Sequence, residues 1–162
     1  MKIMSNDFKH EKLIPTKYTC DGENVNPSLN ISAVPETAVS LALVMEDPDV
    51  PLMARADGMW DHWLIWNMSP NTTHIGENST PKGTYGVTTS NTLAYVGPCP
   101  PDREHRYFFK LFALDTMLDL AEGATKDELF EAMEGHILDT ATIMGRYDRN
   151  QPFDLLTRPQ KT

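Results

Sequence analysis

Residues 106–114, RYFFKLFAL, decide the fold class, because so dense a run of aromatic and apolar residues suits the pleated surface of a sheet. Working outward, residues 40–45, SLALVM, are apolar on both alternating faces, as expected of a central strand covered on two sides. That strand ends at Asp47-Pro48-Asp49-Val50-Pro51, where two prolines forbid further donation to a ladder. Residues 62–67, HWLIWN, form the next strand and stop at Ser69-Pro70-Asn71. Residues 72–90, holding Gly76, Pro81, Gly83 and Gly86, read as a long irregular loop or hairpin, a length often tied to function. Downstream the period changes. Thr125 and Glu128 make a capping box ahead of Leu129, Phe130, Ala132 and Met133 at helical offsets, with Gly135 as the stop. Residues 140–147, TATIMGRY, alternate again as a last strand. Short apolar segments divided by turn chemistry predict an all-β sandwich or barrel with modest helical additions. The expected domain covers residues 1–147, followed by a polar tail over 148–162 in which Phe153 and Leu155 offer contacts for a homodimer.

A chain of 162 residues predicts one domain, and at 40% hydrophobic it is too apolar to stay disordered. Its 14 Lys and Arg against 23 Asp and Glu give a net charge of −9, which argues against nucleic acid and polybasic membrane docking. A single small anion held by a few local donors is still compatible with that field. Cys20 and Cys99 stand 79 positions apart, neither a metal-ligand spacing nor a disulfide-dense framework. A reduced compartment is the simplest reading, although pairing is open at this level. Residues 1–7 lack the apolar run of about 7–15 residues that a secretory signal carries, so the expected location is cytoplasmic.

Several side chains could carry chemistry. In His105-Arg106-Tyr107, alternation turns His105 and Tyr107 to one face and Arg106 to the other. An imidazole and a phenol side by side can both donate to an oxyanion. Asp47 and Asp49, at the end of a buried strand, could orient a histidine, or simply form a turn. Strict alternation puts His62 with Leu64 and Trp66, away from Asp61. Gly97-Pro98-Cys99-Pro100-Pro101 is a stiff loop suited to one wall of a pocket. Cys99 invites a nucleophile reading, but no base is established beside it. Two histidines and a carboxylate are also the ingredients of an iron site, yet no local spacing supports one, and no metal or cofactor is expected. Hydrolytic signatures such as Gly-x-Ser-x-Gly and His-Glu-x-x-His are missing.

Taken in order, Asp47-Pro48-Asp49-Val50-Pro51, Trp60-Asp61-His62-Trp63, and Tyr95-Val96-Gly97-Pro98-Cys99-Pro100-Pro101 leading into His105-Arg106-Tyr107 resemble the phosphatidylethanolamine-binding protein family, also called Raf kinase inhibitor-like proteins. Cys20-Asp21-Gly22-Glu23 is similar to its prokaryotic branch. The resemblance implies a mainly β fold, two antiparallel sheets in a sandwich-like Greek-key core with a small C-terminal helical element. It also implies a surface pocket for phosphate or a phospholipid head group, lined by Asp47, His62, Pro101, His105 and Tyr107. On that reading both histidines and the tyrosine donate to the anion, Asp47 fixes an imidazole, and binding weakens as the histidines lose protons. Asp61 stands where eukaryotic members carry a second His, so its charge is expected to disfavour an anion nearby. The implied role is non-enzymatic, extending to an inhibitor or scaffold for a protein partner. A hydrolase using the same His and Asp residues as acid and base is the alternative.

Overall fold

In the computed structural model, residues 1–150 are described. Among these described residues the nine strands are β1 (Lys2–Met4), β2 (Lys12–Leu13), β3 (Leu29–Ser32), β4 (Ser40–Asp47), β5 (Trp60–Met68), β6 (His74–Ile75), β7 (Thr84–Tyr85), β8 (His105–Leu114) and β9 (Ile137–Tyr147). One α-helix, α1 (Lys126–Met133), lies between β8 and β9, and a short 3-10 turn covers Thr16–Tyr18. The expected strands and helix are all present. The long segment after β5 holds the two short strands β6 and β7, and the N-terminal strands β1 to β3 are additions to the sequence reading. Phe153 and Leu155, named as dimer contacts, lie outside the described residues.

A six-stranded sheet runs β2-β9-β8-β4-β5-β7, and a three-stranded sheet runs β1-β3-β6. β4 is central and buried along its whole length, as its two-faced apolar sequence requires. The two sheets are antiparallel as expected, apart from one short edge pairing. There β2 joins β9 in parallel register, Lys12 opposite Gly145, because the chain reaches that edge from a separate N-terminal segment rather than through a hairpin.

Each face of the large sheet has its own core. Leu41, Leu43, Met45, Tyr107, Phe109 and Leu111 project toward the small sheet and pack with Ile3, Leu29, Ile31 and Ile75. Ala42, Val44, Leu64, Trp66 and Phe112 project the other way, under Leu129 and Met133 of α1. The helix is short, so its ends matter. Thr125 accepts from the Glu128 amide while the Glu128 side chain accepts from the Thr125 amide, and Gly135 leaves the helix with φ +78°. Thr125→Ala is expected to lower the unfolding free energy by about 1 kcal/mol, read from the midpoint of a urea titration.

Candidate functional site

Strand ends converge on a pocket of about 230 Å³, small beside cavities that enclose drug-sized ligands. Asp47 ends β4, His62 lies near the start of β5, His105 and Tyr107 begin β8, and Pro100 and Pro101 form a wall. All five side chains singled out from the sequence therefore meet at one place. Arg106 faces out, as alternation demands, and its guanidinium meets both carboxylate oxygens of Asp49 at 2.9 Å. Asp49 thus serves the loop rather than the pocket. The Arg106 guanidinium holds its carboxyl below the usual range, against a smaller effect of burial.

His62 arrives by a route that alternation misses. Met45 pairs with Trp63 and Glu46 pairs with Asp61, so β5 carries one extra residue at His62. This bulge puts His62 on the same face as Trp63, where its ring meets Tyr107 edge-on at 5.3 Å between centroids. Leu64 and Trp66, its expected companions, lie in the helix-side core. The bulge also turns Asp61 away from the pocket and onto Lys126, 2.7 Å away. The anticipated repulsion of an anion by Asp61 is thereby removed: a lysine neutralises it on the opposite face.

The protonation pattern differs from two donating histidines. His62 Nδ1 lies 2.6 Å from the Val96 carbonyl oxygen, which only accepts, so Nδ1 carries the hydrogen. Burial pushes the His62 pKa down to about 4, and the charge of His105 acts in the same direction against the Val96 hydrogen bond. Its Nε2 is buried with no hydrogen-bond partner in the structure. At neutral pH that atom is a bare acceptor. Tyr107 Oη is likewise buried and without a partner, and burial with the charge of Asp47 raises its pKa far above that of free tyrosine.

His105 is held from both sides. Its Nδ1 lies 2.6 Å from Asp47 Oδ2 and its Nε2 lies 2.6 Å from Asp102 Oδ1. A carboxylate oxygen thus stands at each ring nitrogen, an arrangement that suits N–H donation from the ring to both. Burial pushes the Asp47 carboxyl up, opposed by hydrogen bonds from His105 and the Asp49 amide. Asp102 was not foreseen. Its side chain is 41% exposed while that of His105 is 1% exposed, so it caps the ring from the solvent side. The pattern Asp-x-x-His across a loop was its only trace in the sequence. Among the described residues, no group of three or more His, Cys, Asp and Glu side chains stands in a metal-binding arrangement.

The proline-rich wall is tied down. Cys99, which lines the pocket, is bonded to Cys20, with 5.4 Å between their α-carbons. The pairing left open by the sequence is thereby decided: the fold brings distant segments within bonding reach. A persistent disulfide belongs to oxidising surroundings, so the cysteines no longer argue for a cytoplasmic location. No helix among the described residues is long and apolar enough to cross a membrane. Gly97 lets the two segments close, since a Cβ there would come within 2.3 Å of the Tyr18 carbonyl oxygen. The Cys20 amide donates to Pro98 and Tyr95 Oη donates to the Tyr18 carbonyl, completing the seam.

Residues 4–148 match the family model described as Phosphatidylethanolamine-binding protein. A UPF0098 protein of Chlamydia muridarum is 45% identical over 150 residues, spanning 93% of this chain and 100% of that protein. One from Methanothermobacter thermautotrophicus is 46% identical over 155 residues, covering 92% of this chain and 99% of its own length. Among solved structures, a phosphatidylethanolamine-binding protein homolog from Chlamydia trachomatis superimposes with a TM-score of 0.90 at 44% identity, covering 92% of this chain and 97% of that one. YbcL of E. coli, described as a new member of the mammalian family, gives a TM-score of 0.82 at 27% identity, over 91% of this chain and 97% of its own.

Proposed function

The chain belongs to the phosphatidylethanolamine-binding protein family, which supports a binding function in general, and we propose that its ligand is a small phosphate-type anion. The anion is free or carried on a phospholipid head group, and is held without turnover among Asp47, His62, Pro101, His105 and Tyr107. The Asp102 carboxylate carries this reading. Its oxygen sits 2.6 Å from His105 Nε2, where a ligand oxygen would accept the same hydrogen. An exposed side chain can leave that position, and Asp47 keeps the ring oriented from behind. Tyr107 Oη, unpartnered in the same pocket, supplies a further donor. Cys99, weighed separately as a nucleophile, has its sulfur bonded to Cys20, and the hydrolase alternative rests on the pocket His and Asp residues alone.

Calorimetric titration with inorganic phosphate at pH 6 tests the proposal. Saturable binding is expected, weakened at least about tenfold by His105→Ala, since charge-assisted hydrogen bonds contribute about 1.5–3 kcal/mol. Asp102→Asn should tighten binding several-fold by removing the competing carboxylate. Affinity indifferent to both substitutions would defeat the assignment.

A further inference from the structure

We propose that this pocket selects oxyanions that carry a hydroxyl hydrogen, such as hydrogen phosphate or the monoanion of a phosphomonoester, over anions that lack one, such as sulfate or a phosphodiester. The inference rests on the anion-binding reading above and narrows its ligand class to free phosphate and phosphomonoesters, leaving phosphodiester head groups as the disfavoured case. The selecting atom is His62 Nε2.

The argument begins with the Val96 carbonyl. Because it can only accept, the 2.6 Å contact fixes the hydrogen on Nδ1 and leaves a lone pair on Nε2 of the neutral ring. The tautomer is locked by the backbone, as the Val96 amide in turn donates to the His62 carbonyl at 3.0 Å. The β5 bulge aims the ring into the pocket, and no protein group meets its Nε2. Beside it, Tyr107 Oη has no partner either, and the His105 ring lies 6.4 Å from the Tyr107 ring. The pocket therefore presents one acceptor, Nε2, next to a hydroxyl donor and the His105 Nε2 edge that Asp102 can uncover. A tetrahedral oxyanion with one O–H satisfies all three: its hydroxyl donates to His62, and its other oxygens accept from Tyr107 and His105.

An anion without such a hydrogen meets a lone pair with a lone pair. Relief would require His62 to take a proton from solvent, and for a group near 4 that lowers affinity about a thousandfold at pH 7. Otherwise Nε2 stays buried and unsatisfied beneath the ligand. A site that offers a hydrogen-bonding partner to a substrate O–H rejects analogues that lack it far more strongly than a site measuring size alone.

The test compares two pairs matched in charge on the intact protein, by calorimetry. Hydrogen phosphate is set against sulfate at pH 7.5, and methyl phosphate against dimethyl phosphate at pH 5, below the second phosphate pKa near ~6. The hydroxylated member of each pair is expected to bind at least about tenfold more tightly. In His62→Gln, whose amide can rotate to donate, the ratio should fall toward one. In Tyr107→Phe all four ligands weaken while the ratio persists, because that donor reads oxygens they share. Phosphate and sulfate binding with equal affinity, or a ratio unchanged in His62→Gln, overturns the selection while leaving anion binding intact. Failure of all four to bind overturns both.

Discussion

Replacing Cys20 and Cys99 together by serine should lower the unfolding free energy by about 4 kcal/mol, the largest loss expected from removing any one link in this chain. The bond closes a loop with a sequence separation of 79, so breaking it restores to the unfolded chain the freedom that a long closed loop denies it. For a domain of this size the matching fall in melting temperature is about 10 °C. Cys99 is exposed, so a reductant reaches the bond in the folded protein and should produce the same change without mutation. The wall of Pro100 and Pro101 would remain fastened only by hydrogen bonds such as Cys20 N–H to Pro98 and Tyr95 Oη to Tyr18. Phosphate affinity should therefore drop alongside stability. Thermal melts and urea titrations, with and without reductant, decide the matter. Coincident curves would show that the seam holds without its covalent bond.

Glu46→Gln should remove about 3 kcal/mol at neutral pH, because breaking a buried charge pair strands its partners. Glu46 is buried on the helix side of β4 and lies between Lys110 and Lys126, with Lys126 at 2.8 Å. Two circumstances put the value at the lower end of the range for buried pairs. Lys126 retains Asp61, and Lys110 is 37% exposed and can be solvated. Burial raises the Glu46 pKa, but hydrogen bonds and attraction from the two ammonium groups outweigh it, so the net shift is downward. A depressed folded-state pKa stabilises the fold fully above the unfolded value near ~4.3 and ceases to do so as pH falls through the folded value. The gap between wild type and Glu46→Gln in urea titrations should accordingly be widest near pH 7 and narrow below about pH 4. A gap that stays constant through this acid range would place the effect in packing rather than charge.

Much of the fold was legible because its strongest elements are long and periodic. The aromatic run of β8, the two-faced apolar run of β4 and the Thr125–Glu128 cap each state their conformation within a few residues. The facing of His105 and Tyr107 away from Arg106 follows from pleating alone. The short strands β1, β3 and β6 span only 2 to 4 residues and carry no period, so their identity comes from the partners they meet.

The site divides along the same line. By itself the sequence determined which residues gather at the pocket, since Asp47, His62, Pro101, His105 and Tyr107 recur in an order that resembles one family. Only the tertiary structure decided how those residues are turned and hydrogen-bonded there. A bulge is a mismatch between two strands, and it alone turns His62 inward and Asp61 outward. A tautomer is set by whichever atom lies opposite a ring nitrogen, here the Val96 carbonyl for His62 and a carboxylate on each side of His105. The bond between Cys20 and Cys99, like the salt bridges around Lys126, depends on distances across the folded chain. Local patterns specify which backbone each segment prefers. Proton positions and charge pairing depend on neighbours brought close by folding, which no local pattern encodes.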